Sequence, residues 1–246
     1  MRSQDYNFFT KAESIISATM TLPDKQFEPL TTDLKYEFAR AINLTWFRLF
    51  HCVRYRAVKN IPKTGPIIVA PNHVTYYDPP AVAAGIPFRV RFMAWDALFK
   101  VPVLRSILVG WGAYPVKLKA ADKGAIVQTL KILRHGEAVM IFPEGIRHGT
   151  GDLAPFEQGP ARLAIQTDAY ILPVSVIGAL EAWPMDKMFP RLFRRITIKY
   201  HPAVWAKDLP DDLDLKGKIE EMNRRVARPI QRRLDAWKKL KSRSGR

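Results

Sequence analysis

The chain of 246 residues holds one cysteine, Cys52, so no internal disulfide can form, and a lone thiol beside Val53 and near Phe50 reads as packing rather than as a nucleophile. No stretch reaches the run of about 18 apolar residues that a transmembrane helix requires. Residues 42–53 come nearest, but Asn43, Arg48 and His51 interrupt them. No early apolar segment resembles a signal peptide, which sets the expectation of a protein that is not exported. There is no Gly-x-Ser-x-Gly elbow, which argues against a serine hydrolase, and there is no internal repeat or low-complexity tract. Acidic residues are scarce: 23 Asp and Glu against 39 Lys and Arg leave a formal charge of +16. Such an excess attracts anionic partners, whether nucleic acid, anionic lipid or a phosphorylated substrate, and does not by itself choose among them.

What is present is enough apolar residue, 48%, for one sizeable core. From Ile67 onward short β-branched runs alternate with helical periodicity. Strands are expected over 66–70, 90–95, 114–118, 137–142, 171–177 and 195–200, and helices over 79–86, 97–110, 120–134 and 159–167. That alternation predicts an α/β fold, a mixed and largely parallel sheet flanked by helices. Before it, residues 1–33 form a polar arm carrying Phe8, Phe9 and Phe27. Asp33 is a candidate N-cap for a helix over 34–55, in which Ala39, Ile42, Trp46, Leu49, Phe50 and Val53 recur at three- and four-residue spacing. With Trp46, Phe47 and Phe50 beside Arg40, Arg48 and Arg54, that helix suits either a membrane interface or a face of its own domain.

Three stretches carry candidate chemistry. The first, Asn72-His73-Val74-Thr75-Tyr76-Tyr77-Asp78-Pro79-Pro80, comes after the strand at 66–70, placing His73 at the carboxyl edge of the sheet, where open α/β sheets bind ligands. A histidine and an aspartate five apart on one continuous helix diverge, so pairing His73 with Asp78 requires a loop, and the Pro-Pro step supplies it. A neutral imidazole suits removal of a hydroxyl proton, and a carboxylate on its other nitrogen sets the tautomer. The second, Phe142-Pro143-Glu144-Gly145-Ile146-Arg147-His148, brings a glutamate, a glycine and the planar phosphate-binding fork of an arginine out of another strand end. The third, Gly112-Ala113-Tyr114-Pro115-Val116-Lys117, ends on a cation. Taken singly, each stretch also has a structural reading: a satisfied histidine, an internal ion pair, a surface lysine.

In this order, and with Phe156-Glu157-Gln158-Gly159 and Ile171-Leu172-Pro173-Val174-Ser175-Val176 after them, the blocks resemble those of the 1-acylglycerol-3-phosphate acyltransferases, within the wider glycerolipid acyltransferase group. The resemblance covers roughly 65–178. It implies that His73 is the general base and Asp78 its orienting partner, and that Glu144, Gly145 and Arg147 belong to the acceptor's phosphate site, with Lys117 as a second cation where the family usually has arginine. It also implies an acyl thioester on coenzyme A or acyl carrier protein as co-substrate, no bound cofactor and no metal. Two positions depart from the family pattern: Ile146 and His148 stand where threonine and serine are usual. Those departures keep open another lysolipid acceptor, such as a lyso-amino-acid lipid.

Outside the blocks, composition alone speaks. Residues 184–199 interleave Met185, Met188, Phe189, Leu192 and Phe193 with Lys187, Arg191, Arg194 and Arg195, a mixture suited to a lipid surface or to nucleic acid. Between 216 and 246 there are twelve Lys or Arg against three acids, on an apolar stripe that Pro229 is expected to kink or split. The division expected is therefore an arm and candidate interfacial helix over 1–56, an acyltransferase domain over 57–209, and a basic amphipathic helix and tail over 210–246. The partners expected are an anionic membrane surface, a lysophospholipid acceptor and the acyl donor, with no nucleic acid, on the cytoplasmic face of a membrane as a peripheral or monotopic protein. A basic lipid- or nucleic-acid-binding module without turnover is the alternative from another class.

Overall fold

The computed structural model describes residues 33–117 and 123–243. The polar arm with Phe8, Phe9 and Phe27 lies outside them, as do 118–122 and 244–246. One mixed sheet of eight strands organises the chain: β1 (Arg54–Arg56), β2 (Ile67–Pro71), β3 (Val90–Trp95), β4 (Ala113–Val116), β5 (Ala138–Met140), β6 (Tyr170–Ile177), β7 (Thr197–Tyr200) and β8 (Val204–Trp205). Their order is β1-β7-β6-β2-β5-β3-β4, with β8 paired to β6. The five strands from β6 across to β4 are mutually parallel, and β7 and β8 run antiparallel to β6.

β2 is central, and its residues 67–70 are fully buried, because helices cover both faces. Ile67 and Val69 enter one core with Phe47, Val82, Ile86 and Tyr200, while Ile68 and Ala70 enter the other with Leu130, Leu133, Leu163 and Met222. The helices are α1 (Leu34–His51), α2 (Asp78–Ala84), α3 (Pro102–Gly110), α4 (Lys123–Arg134), α5 (Gln158–Thr167), the single turn α6 (Ala179–Ala182) and α7 (Leu215–Arg243).

The helix expected over 34–55 begins as foreseen, with the Asp33 side chain accepting from the Tyr36 N–H at 2.8 Å, but it stops at His51. Cys52 takes a left-handed conformation (φ 41°), and Arg54–Arg56 pairs with β7 instead. A three-residue edge strand is too short to show a period, and Val53 only mimics a continuation of the helix. Residues 97–110 divide into a 3-10 turn (Asp96–Lys100) and α3, because Val101 precedes a proline and stays extended (φ −89°, ψ 114°). Pro229 does not split α7. Ile219, Met222, Val226, Ile230 and Leu234 are all buried on both sides of it, and that continuous seat on the sheet holds the helix in register through the missing donor. β8, two residues long, left no signal in the sequence.

On the face covered by α7, His201 is buried and shares a 2.8 Å hydrogen bond with the Ser175 hydroxyl. Burial, with Lys199 and Arg233 nearby, pushes its pKa down to about 4, so this imidazole is neutral near pH 7 and belongs to the packing.

Candidate active site

β2 delivers the first block to the carboxyl edge. Immediately after it, Asn72 uses its side chain as a substitute ladder rung: its Oδ1 accepts from the Val176 N–H at 2.7 Å and its Nδ2 donates to the Val176 carbonyl at 3.1 Å. The backbone is thereby pinned to β6 until the turn starts. Asp78 is the first residue of α2. Its carboxylate turns back on the loop. Oδ2 accepts from the N–H groups of Val74 (2.6 Å) and Thr75 (2.8 Å) and from Nδ1–H of His73 (2.9 Å), and Oδ1 accepts from the Thr75 hydroxyl at 2.8 Å. Four donors converge on one fully buried carboxylate, which fixes the loop and the imidazole together. A carboxylate can only accept, so Nδ1 of His73 carries the proton and Nε2 is free to take one. The imidazole also stacks on Phe142, 3.7 Å between centroids at 20°, and keeps 17% of its side-chain surface open to solvent.

β5 lies beside β2 and brings the second block underneath the first. The structure gives Glu144 a different place from the phosphate site that the resemblance implies. It is buried, Oε1 accepts from the His73 N–H at 2.8 Å, and Oε2 accepts from the Ala154 N–H at 2.8 Å. Burial raises its pKa above the ordinary carboxylate value, against the pull of those two N–H groups and of His148 and His73. The His148 N–H donates to the carbonyl of His73 at 2.9 Å, so both backbone groups of the catalytic candidate are held by the second loop. Gly145 sits at φ 74°, which suits only glycine well, and its N–H closes the turn on the Phe142 carbonyl rather than facing an anion. Arg147 is half-buried and lies over the Tyr76 ring, 3.7 Å from its centroid, with a 2.9 Å hydrogen bond from its guanidinium to the Tyr76 hydroxyl.

Lys117 is not drawn into this group. It comes just after β4 at the edge of the sheet, three strands from β2, or about 14 Å at ordinary strand spacing. Of the two candidate cations, Arg147 is the one in contact with the His73 loop, through Tyr76. Sequence reasoning gave no role to Phe142, Thr75, Tyr76 or the peg at Asn72. All four lie inside the motif blocks, but spacing carries no sign of the contacts of Phe142 with His73, Tyr76 with Arg147 and Asn72 with Val176, which join residues 69, 71 and 104 positions apart. Among the described residues, no group of three or more His, Cys, Asp or Glu side chains could hold a metal ion.

The bracing geometry of Glu144 makes a prediction. Glu144→Gln leaves one acceptor oxygen for two converging N–H groups and turns an NH₂ toward one of them. It is expected to cost about 1–3 kcal/mol of stability and to lower kcat about tenfold, since about 1.4 kcal/mol of misplacement suffices for that, with KM for a phosphorylated acceptor little changed. Denaturant unfolding and steady-state kinetics check this. A rise in acceptor KM at unchanged kcat would return Glu144 to the phosphate site.

A family model described as Acyltransferase matches residues 52–177. A 1-acyl-sn-glycerol-3-phosphate acyltransferase of Borreliella burgdorferi is 30% identical over 120 residues, 48% of each chain. One from Bacillus subtilis is 27% identical over 180 residues, 72% of this chain and 87% of its own. The chain thus spans about half the length of the first and most of the second. The crystal structure of the LPA acyltransferase PlsC from Thermotoga maritima superposes with a TM-score of 0.68 over 82% of this chain and 79% of that one, at 24% identity, a likeness of fold. The matched span runs from the residue after α1 to the end of β6 and contains the whole His73–Asp78 loop and its Glu144 brace, and this chain belongs to the Acyltransferase family.

Proposed function

We propose that the protein transfers a fatty acyl group from a thioester to the free hydroxyl of a lysophospholipid, with lysophosphatidate as acceptor and phosphatidate as product. The observation that carries this reading is the His73–Asp78 pair, whose buried carboxylate holds Nδ1–H and leaves Nε2 free on a partly exposed ring, in the loop whose Tyr76 carries the Arg147 fork. In the step proposed, Nε2 takes the acceptor's hydroxyl proton as its oxygen attacks the thioester carbonyl. The tetrahedral intermediate then collapses, the C–S bond breaks, and the imidazolium returns the proton to the departing thiolate. The substrate hydroxyl stands where serine stands in a hydrolytic triad, so no protein nucleophile is needed. Arg147 meets the acceptor's phosphate. The donor is the thioester of coenzyme A or of acyl carrier protein, and neither leaves a bound cofactor. The names carried by the relatives support the choice of acceptor.

The test is an acceptor panel scored by thiol release. With Arg147→Ala, KM for a phosphorylated acceptor is expected to rise about 30-fold, the scale of a lost charge-assisted bond, while phosphate-free acceptors keep their rates. A variant that still prefers the phosphate removes Arg147 from the pocket, and no thiol release by wild type with any acceptor leaves the binding-module reading. Ile146, 66% exposed, and His148 give the anion pocket an apolar member and an imidazole in place of hydroxyls, and this favours a second reading with a different lysolipid as acceptor.

The membrane belongs to the same proposal. Among the described residues no helix is long and apolar enough to cross a bilayer. On α1, Tyr36, Phe47 and His51 turn inward, which corrects the placing of Phe47 with Trp46 and Phe50 as a headgroup trio. Leu34, Phe38, Ile42, Trp46 and Leu49, exposed by 40–87%, form one outward stripe. The Phe193 N–H donates to the Phe50 carbonyl, which joins that stripe to the exposed Met188, Phe189 and Phe193 and their neighbouring arginines. β6 is parallel to β2, so this loop lies at the edge that bears His73. An apolar stripe flanked by basic residues suits a peripheral protein on an anionic leaflet, at the cytoplasmic face. Phe38→Ser with Leu49→Ser is expected to lower binding to anionic vesicles about 100-fold, from the apolar area withheld from lipid. Sedimentation with vesicles measures it, and unchanged binding would remove α1 from the interface.

A further inference from the structure

The loop between His73 and Asp78 holds a residue that the acyl-transfer chemistry does not require. Tyr76 is 63% exposed, an unusual place for a large ring, and yet it is not loose. The backbone on both sides of it is fixed by Asp78, through the N–H groups of Val74 and Thr75, and by the Thr75 hydroxyl, which accepts from the Tyr77 N–H at 3.1 Å. The ring meets Trp183, 5.7 Å between centroids, and carries the Arg147 guanidinium 3.7 Å from its own centroid. Arg147 also donates to the Tyr76 hydroxyl. That hydroxyl therefore accepts from the arginine and has its own O–H left to donate.

From this geometry, and resting on the reading of Arg147 as the phosphate-binding cation, we infer that Tyr76 is the positioning and specificity-determining residue of the acceptor site: its ring holds the Arg147 fork at a set distance from His73, and its O–H offers a phosphate oxygen a further donor. The physical case is one of preorganisation. An arginine at an open edge has about 2 kcal/mol of rotamer freedom to lose on binding, and a ring beneath the guanidinium removes part of that loss in advance. The O–H matters because positions 146 and 148 carry no hydroxyl. The link is also directional. Asp78 holds His73 and the backbone flanking Tyr76 in one loop, so the base and the cation it must work with are set by the same carboxylate.

The test uses full-length protein with acyl-coenzyme A and two matched acceptors, lysophosphatidate and its phosphate-free monoacylglycerol. Tyr76→Ala is expected to raise KM for lysophosphatidate about tenfold, with kcat within about twofold, and to leave kcat/KM for monoacylglycerol unchanged. Tyr76→Phe, which keeps the ring and removes only the hydroxyl, is expected to raise that KM about threefold, placing it between alanine and wild type. A purely structural role would depress both acceptors equally, and that result overturns the assignment. So does a wild-type preference for the phosphorylated acceptor that survives in Tyr76→Ala. A wild-type enzyme without such a preference overturns the acceptor reading and this assignment with it. If Tyr76→Ala melts early, the Phe variant decides: a KM equal to wild type removes the hydroxyl from the site, and a rise confined to lysophosphatidate supports it.

Discussion

His73→Ala is expected to lower acyl transfer by about 10³–10⁴-fold, the range that a lost general base with its proton return commands, while the protein remains folded. The separation of the two effects rests on the contacts. The imidazole makes one hydrogen bond, to Asp78, and one stacking contact, on Phe142, and keeps part of its surface in water. The bonds that hold the loops together at this position use the His73 backbone, with Glu144 and His148, and an alanine retains both. Asp78 keeps three of its four donors. The stability cost is then about 1 kcal/mol, that of an ordinary hydrogen bond. Thiol release at saturating acceptor, read beside a thermal melt, gives both numbers, and activity near wild type in a folded His73 variant would end the proposed mechanism.

Asp78→Asn is expected to differ in kind, because it damages catalysis and fold together. Asparagine has one acceptor oxygen where the carboxylate had two, and its NH₂ must point at a donor. Directed at His73 it gives a hydrogen to Nδ1, which forces the proton onto Nε2 and presents the acceptor hydroxyl with a donor in place of a base. The loss from such a tautomer exchange is about 10⁴-fold. In that orientation the N–H groups of Val74 and Thr75, which share Oδ2 with His73, lose their acceptor as well, at about 1–3 kcal/mol each. Directed instead at the Thr75 hydroxyl, the amide keeps the tautomer but lacks the charge that draws the four donors together, so in both orientations a melt below wild type should accompany reduced activity. His73→Ala combined with Asp78→Asn should be hardly slower than Asp78→Asn alone, because the two residues act as one unit. Additive losses from the double variant would show that they do not.

The family blocks made the chemistry legible because reactive side chains stand at strand ends, and strand ends announce themselves locally. Ile67–Val69 and Val139–Ile141 are short β-branched or apolar runs that stop at a proline or a turn, and the residues just beyond each run lie at the carboxyl edge. The pairing of His73 with Asp78 was legible as well, since Pro79 and Pro80 forbid the continuous helix that would separate them. The same local reasoning failed where a residue's partner is far along the chain. The resemblance implied that Glu144 and Gly145 belong with Arg147 to the acceptor's phosphate site. In the fold Glu144 braces the backbone of His73, and Gly145 closes its own turn. Composition alone set Phe47 beside Trp46 and Phe50 as a candidate for the interface, and packing against Tyr77 turns it inward.

The sequence by itself determined the alternation of strand and helix, the family blocks in their order, the His73–Asp78 pair and the basic, apolar-striped flanks. Each of these is written in neighbouring residues, through dihedral preference, spacing and charge. Tertiary structure alone decided which blocks meet. β2 and β5 are adjacent although 71 residues separate His73 from Glu144 and Tyr76 from Arg147, while β4 is an edge strand, which sets Lys117 apart from both. Strand order is settled by burying both faces of a central β2 at once, a condition on the whole chain that no local window contains.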